Sequence, residues 1–104
     1  MSSIVTELVL FKLKPGIDQE AVQAAATQMM PWLRQQPGFL RRELSASDTG
    51  QWVDIVHWTD LGSAQQAATV VMSAPEAHTF MTLLDEEQIT MVHLHQVLEE
   101  TTHA

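Results

Sequence analysis

A glutamate inside an apolar strand and a histidine in a short helix are the residues of this sequence best suited to acid–base chemistry. Glu7 lies in the apolar run IVTELVLFKL, where an ionised carboxylate is costly to bury unless it is paired or protonated. His78 can take up and release a proton near neutral pH. If both face one cavity, His78 would move a proton and Glu7 would orient or share it. The alternative is that Glu7 is simply solvated at a sheet edge or dimer seam.

Two further histidines, His93 and His95, are two residues apart in the last predicted strand, so both point to one face of it. Met91 shares that face. Such a pair can chelate a metal, with Glu7 of a neighbouring strand as a third ligand. The alternative is that both histidines line a dimer interface. Since no EF-hand, HExxH or histidine-rich motif is present, we predict no metal site.

Aromatic, histidine and methionine side chains are the candidate ligand-binding residues, because they can hold a flat apolar molecule. His57 and Trp58 are adjacent on one predicted strand, so only one of them can face a cavity on a given side of the sheet. Ordinary core packing is the alternative for each residue taken alone. The predicted ligand-binding residues are Trp58, His57, Phe80, His93 and Met91.

The composition excludes several classes of function. The chain has 104 residues, enough for one domain, and a net charge of −8. All five Lys and Arg residues lie before position 43, so nucleic acids and anionic membrane surfaces are not expected partners. Without cysteine there is no disulfide or thiol nucleophile. No nucleotide-binding or serine-hydrolase motif is present. No basic segment precedes the first apolar run, which predicts a cytoplasmic protein.

The pattern of apolar residues and turn signals predicts the element order β-α-β-β-α-β. Asp18 and Asp60 are predicted helix N-caps, and Pro31 should kink or end the first helix near Met30. A short helix is expected after Pro75, with the apolar stripe Ala77, Phe80, Met81 and Leu84. The predicted strands are 4–13, 39–48, 51–59 and 89–98.

This order predicts an α+β, ferredoxin-like fold with an antiparallel sheet of order 4-1-3-2 and both helices on one face. The first strand is apolar on both faces, and no element remains to cover the second face. A second copy of the chain is the simplest cover. The sequence therefore predicts a homodimer whose two sheets close into a barrel.

Several segments resemble known families. The stretch from Glu7 to Gly16, ELVLFKLKPG, resembles the first strand of the stress-responsive dimeric α/β-barrel (Dabb) family. The segments Pro37-Gly38-Phe39, Trp58-Thr59-Asp60 and 73–80 (SAPEAHTF) resemble the antibiotic biosynthesis monooxygenase (ABM) family. Both belong to the dimeric α+β-barrel superfamily. The resemblance covers nearly the whole chain and implies a homodimer with a cavity between sheet and helices.

The resemblance also bears on individual residues. Dabb proteins commonly have a histidine at the position of Glu7, and a polyketide cyclase of that family pairs it with a second histidine, which His78 matches. The haem degraders of the superfamily have a tryptophan ten residues before the matching histidine, where this chain has Ala68, and an asparagine on strand 1, which this chain lacks. Haem degradation is therefore not expected.

These observations predict one ABM/Dabb domain over residues 1–98, followed by a polar tail, 99–104. The predicted catalytic residues are His78 and Glu7. The predicted function is that of a small-molecule pocket protein, a cofactor-free monooxygenase or cyclase acting on a flat aromatic or polyketide-like substrate. The alternative is a non-catalytic dimeric ligand-binding or stress-associated module.

Overall fold

The computed structural model describes residues 3–102, which form a four-stranded antiparallel sheet covered on one face by helices. The strand order is β2-β3-β1-β4, the same as the predicted 4-1-3-2. The predicted α+β, ferredoxin-like fold is therefore confirmed. The elements are β1 (Val5–Phe11), α1 (Gln19–Gln28), α2 (Met30–Arg34), β2 (Phe39–Ala46), β3 (Trp52–Trp58), α3 (Leu61–Val70), α4 (Pro75–Leu83) and β4 (Thr90–His95).

Aspartates and prolines define the helix boundaries, as expected. The backbone N–H of Ala21 donates to Asp18 at 2.8 Å at the start of α1. Asp60 accepts in the same way from Ser63 at 2.7 Å at the start of α3. Pro31 lies in the first turn of α2, which follows α1 after a break at Met29. Proline at the first position of α4 separates it from the 3-10 turn that ends α3.

The register of the strands places one row of side chains across the whole sheet on the face that meets the helices. Arg42 lies opposite Val56, Val56 opposite Glu7, and Glu7 opposite His93. We call these four residues the middle row. A bulge between Phe39 and Arg41 shifts the pairing of β2 by one residue. Because side chains alternate along a strand, this shift turns Arg42 rather than Arg41 toward the helices.

Two apolar clusters fill the space between the sheet and the helices. One is centred on Phe11, whose ring stacks on Trp52 at 6.0 Å between centroids and meets Phe80 edge to face at 5.8 Å. The other surrounds Val5 and Trp58 and receives small alanines from α3. Trp32 of α2 packs against both clusters and joins them. The cavity described below lies where the two clusters meet.

No helix within residues 3–102 covers the opposite face of the sheet. It carries apolar side chains, among them Leu8 and its two cross-strand partners Ile55 and Val92. Leu94 of the same face is 48% exposed. The observed bare apolar face is the one from which the sequence predicts a homodimer. Among the described residues, no helix is long and apolar enough to cross a membrane.

Candidate functional site

A cavity of about 290 Å³ lies between the inner face of the sheet and the helices. Its floor includes Glu7, Val56 and Trp58, and its walls include side chains from α2, α3 and α4. The most exposed lining residues are Met72, at 72%, and Met91, at 49%, so they mark the mouth of the cavity. A mainly apolar cavity with a few polar groups on its floor has the character of a small-molecule site.

The carboxylate of Glu7 has one hydrogen-bond partner among the described residues, the imidazole of His93. Glu7 Oε2 and His93 Nε2 are 2.8 Å apart, and their side chains are 12% and 18% exposed. The contact follows from the fold because the two residues are directly opposite each other on β1 and β4. An ionised carboxylate can only accept, so the imidazole nitrogen donates to it. Glu7 is thus a paired carboxylate that lines an apolar cavity.

A second charged pair, Arg42 with Asp54, lies on the β2 side of the same cavity. Their side chains are 5% and 9% exposed. Arg42 also donates from Nη1 to the carbonyl of Ala26 at 3.0 Å, and its guanidinium lies 5.1 Å from the ring centroid of Phe80. The guanidinium is therefore held by the protein's own groups. Its charge is balanced by Asp54 and not by Glu7.

Trp58 is a lining residue of the cavity with an unpaired hydrogen-bond donor. Its side chain is among the largest fully buried ones, and its buried Nε1 has no hydrogen-bond partner within the part of the chain that the structure describes. The ring is fixed by an edge-to-face contact with Phe39 at 5.9 Å. A buried indole N–H normally finds an acceptor. Since Trp58 lines the cavity, an oxygen atom of a bound molecule could supply the missing acceptor.

The predicted ligand-binding residues divide by the face on which they lie. Trp58, Phe80 and Met91 line the cavity, as does Glu7. His93 contacts Glu7 and is not itself a lining residue. His57 is on the opposite face of the sheet, where its Nε2 lies 3.7 Å from Glu43 Oε1. The expected role of His57 in this cavity is wrong, because alternation along β3 turns Trp58 inward and His57 outward.

The predicted contact between Glu7 and His78 is not formed. His78 is exposed on α4 and is not among the residues that line the cavity. The physical reason is the helical period, since Ala77 and Phe80 occupy the buried side of α4 and His78 is turned away from it. Within residues 3–102, His93 takes the place beside Glu7 that the sequence analysis gave to His78.

No group of three His, Cys, Asp or Glu side chains that could hold a metal occurs among the described residues. His95 shares a face with His93, as predicted, but its cross-strand partner is Val5. Glu7, the expected third ligand, lies opposite His93 and not opposite His95.

Sequence reasoning missed the Arg42–Asp54 pair. Asp54 gave the same signal as Glu7, an acid inside an apolar strand, in the segment WVDIV.

The fold and the cavity together define a class of protein, the ferredoxin-like α+β domains with a mainly apolar cavity between one antiparallel sheet and its helices. The chain belongs to the antibiotic biosynthesis monooxygenase family, whose model matches residues 4–83. This confirms the resemblance stated above. No protein with a curated description matches the chain.

Solved structures with the same fold come from several bacteria. SnoaB, a cofactor-independent oxygenase from Streptomyces nogalater, is 20% identical, with a TM-score of 0.69 over 96% of this chain and 97% of SnoaB. Rv0793 from Mycobacterium tuberculosis is 17% identical, with a TM-score of 0.68 over 95% of this chain and 100% of that one. PA3566 from Pseudomonas aeruginosa is 18% identical, with a TM-score of 0.66 over 94% of this chain and 98% of that one.

Proposed function

We propose that this protein is a cofactor-independent oxygenase that binds a small, flat, phenolic or polyketide-like molecule in the cavity between sheet and helices. The observation that carries the proposal is the cavity floor, where Glu7, with its paired carboxylate, and Trp58, whose buried N–H has no hydrogen-bond partner among the described residues, line one apolar space. The family match and the fold shared with SnoaB support it.

The two polar groups suit one molecule that carries an acidic hydrogen and an oxygen. Glu7 lies opposite Val56, and Trp58 is two residues further along the same strand. Such diagonal neighbours are roughly 7–8 Å apart, so an aromatic ring can lie between them. Glu7 would accept a proton from an activated methylene, and Trp58 would donate to the oxygen that gains charge.

The oxidant in this proposal is dioxygen and the electrons come from the substrate. Loss of one proton to Glu7 leaves a carbanion conjugated with the aromatic system, and this carbanion reacts with dioxygen. Over the whole reaction the methylene becomes a carbonyl, and the second oxygen atom leaves as water with the two methylene hydrogens. Glu7 returns the proton that it accepted. No bound metal or organic cofactor enters this scheme.

The test is oxygen uptake with 1,8-dihydroxyanthrone, a flat phenol with an acidic methylene. The wild-type protein should raise the rate above that in buffer alone. Glu7→Gln should lower the protein-dependent rate by about 10²-fold or more, because general base catalysis contributes about that much. Glu76→Gln, which neutralises an exposed carboxylate on α4, is the matched control and should keep the rate. Uptake equal to that in buffer for this and related flat phenols would overturn the proposal.

The same proposal includes a homodimer formed through the bare face of the sheet, acting in the cytoplasm. It is supported by the row of half-exposed apolar side chains on that face, including Leu10, Val92 and Leu94. Native mass spectrometry under gentle desolvation should show a species of twice the 11.6 kDa chain mass. A monomer at micromolar concentration would contradict this part.

A non-catalytic ligand-binding module is the second candidate. It is favoured by the modest volume of the cavity and by the bulky side chains that crowd it, Trp32, Met29 and Met81. In that case a bound small molecule should be found by mass spectrometry after denaturation, chemically unchanged. Glu7→Gln would then leave its occupancy unaltered, whereas the oxygenase proposal requires turnover that depends on Glu7.

A further inference from the structure

We infer that Glu7 and His93 form one proton-transfer unit, in which Glu7 takes a proton from the molecule in the cavity and His93 releases one to solvent at the edge of the sheet. The substrate side of this inference rests on the proposed function. The contact between the two side chains does not.

The two carboxylate oxygens of Glu7 and the two sides of the His93 ring have different surroundings. Glu7 Oε2 is 2.8 Å from His93 Nε2, while Glu7 Oε1 has no hydrogen-bond partner among the described residues. Glu7 lines the cavity, so Oε1 is the atom open to a bound molecule. His93 is on the outermost strand of the sheet, and its side chain is 18% exposed. The far side of its ring therefore has access to water.

The charges around Glu7 explain why His93 is needed. The nearest cation of the middle row, Arg42, already makes two hydrogen bonds to Asp54, and Val56 lies between it and Glu7. A carboxylate with little exposure requires a partner. Among the described residues, His93 is the side chain that bonds to it. Loss of the imidazole would leave Glu7 uncompensated in an apolar site.

The unit takes up one proton and releases one while the hydrogen bond between Glu7 and His93 stays in place. For the unit to work, the carboxylate of Glu7 must accept from a doubly protonated ring of His93 before the substrate proton arrives. One proton arrives at Glu7 Oε1 and neutralises the carboxylate. The imidazolium then loses its counter-charge and gives its Nδ1 proton to water, while Nε2–H still donates to Oε2. One proton enters and one leaves, and the reverse sequence returns a proton to the reduced oxygen.

By this argument His93 acts through Glu7, so it is a positioning residue rather than a catalytic one. His95 provides a matched comparison, because it is on the same strand and the same face but is exposed and faces Val5. Its side chain has no hydrogen bond or ion pair to another described residue. Substitutions at His95 and His93 are therefore similar in chemistry and location, and differ in the contact with Glu7.

The contact can be tested without any substrate. Long-range proton–nitrogen NMR spectra distinguish the protonated and neutral forms of each imidazole ring. At neutral pH, Glu7→Gln should move the ring signals of His93 toward the neutral form and leave those of His95 in place. Circular dichroism would confirm that the variant is folded. If the His93 signals do not change, the inference is overturned.

The proton-release step is tested by chemical rescue with 1,8-dihydroxyanthrone as the probe. His93→Ala should lower the rate of oxygen uptake by about tenfold or more, and added imidazole should restore much of it, which a merely structural role would not allow. His95→Ala should keep the rate, and Glu7→Gln should not respond to imidazole. A His93→Ala variant with the full wild-type rate would overturn the inference while leaving the proposed function standing. A wild-type protein without activity overturns the proposed function, and the NMR result then decides the pair alone.

Discussion

Arg42 and Asp54 form a two-pronged ion pair, from Nε to Oδ1 at 2.9 Å and from Nη2 to Oδ2 at 2.7 Å. Both side chains are almost fully buried. A pair of this kind is costly to break from one side, because the remaining charge is left in an apolar environment. The pair also forms the polar end of the cavity on the β2 side.

Removing one partner of this pair should destabilise the fold strongly. We expect Arg42→Met to lower the free energy of unfolding by about 3–5 kcal/mol, because Asp54 is left without its counter-charge. The double variant Arg42→Met with Asp54→Leu should recover most of that loss. Urea unfolding of the three proteins measures both effects. If the double variant is as unstable as the single one, the loss comes from packing and not from the unpaired carboxylate.

The unpaired N–H of Trp58 should contribute to ligand binding. We expect Trp58→Phe to raise the Kd of 1,8-dihydroxyanthraquinone, a flat phenol that lacks the reactive methylene, by about tenfold, which corresponds to one hydrogen bond of about 1.4 kcal/mol. Trp52→Phe is the control, since Trp52 is also buried but is not among the cavity-lining residues. Titration by absorbance gives both constants. Equal effects of the two substitutions would remove the assigned role of Trp58.

The N-cap of α3 should make stability depend on pH in the acid range. The backbone N–H of Ser63 and the hydroxyl of Thr59 donate to Asp60 and hold the pKa of this carboxyl below its usual value of 3.8. A lowered pKa means that the contribution is present above pH 3.8 and is lost as the pH falls through the folded-state value. Asp60→Asn should flatten the stability curve below pH 3.8, as measured by thermal unfolding. If the stability of Asp60→Asn falls below pH 3.8 as steeply as that of the wild-type protein, this assignment is wrong.

Gly38 should tolerate no side chain. Its φ of +84° favours glycine, and an added Cβ would lie 2.5 Å from Ser63 Oγ and 2.7 Å from Thr59 Oγ1. Gly50 has a similar φ of +91° but nothing within 4 Å of such a Cβ. Gly50→Ala should therefore cost about 1–2 kcal/mol of conformational energy. Gly38→Ala should cost about 1–3 kcal/mol more, because of the overlap. Chemical denaturation measures the loss of stability in each variant. Equal losses for Gly38→Ala and Gly50→Ala would contradict the predicted overlap at Gly38.

The dimer contact predicted for the bare sheet face can be broken by one charge. Ile55 lies in the middle of that face, opposite Leu8. We expect Ile55→Lys to give a monomer by size-exclusion chromatography with light scattering, because a lysine cannot be buried there without a partner. Met72→Lys, on the helical side and largely exposed, should leave the mass of the dimer measured by light scattering unchanged. A dimer that survives the first substitution would place the interface elsewhere.

The order of the elements was predictable because its signals are local. Asp18, Asp60, Pro31 and Pro75 define helix ends through contacts within a few residues, and the strands between them alternate visibly. The side of α4 on which His78 falls was also encoded in the sequence. The stripe of Ala77 and Phe80 turns His78 outward, so the assignment of His78 to the cavity conflicted with the predicted helix itself.

The pairings across the sheet were not predictable from the sequence, because they depend on register. Without the bulge after Phe39, Arg41 and not Arg42 would face the helices and meet Asp54. The contact between Glu7 and His93 joins residues 86 positions apart. It requires β4 to return beside β1 in one particular alignment. Sequence spacing gave the correct face for His93 and suggested Glu7 as a third ligand near His93 and His95, but it could not give the register that makes Glu7 the direct partner of His93.

The position of β4 at the edge of the sheet determines which residues next to the cavity can be substituted. This strand supplies His93 and Met91 to the cavity region, yet none of its residues belongs to either apolar cluster. Met91 and His93 can therefore be varied next to Glu7 without opening a gap in either apolar cluster. These two positions are the natural target for directed evolution of new activities, and a library confined to them would vary the proton-handling edge of the cavity while leaving Val92 and Leu94 of the bare face unchanged.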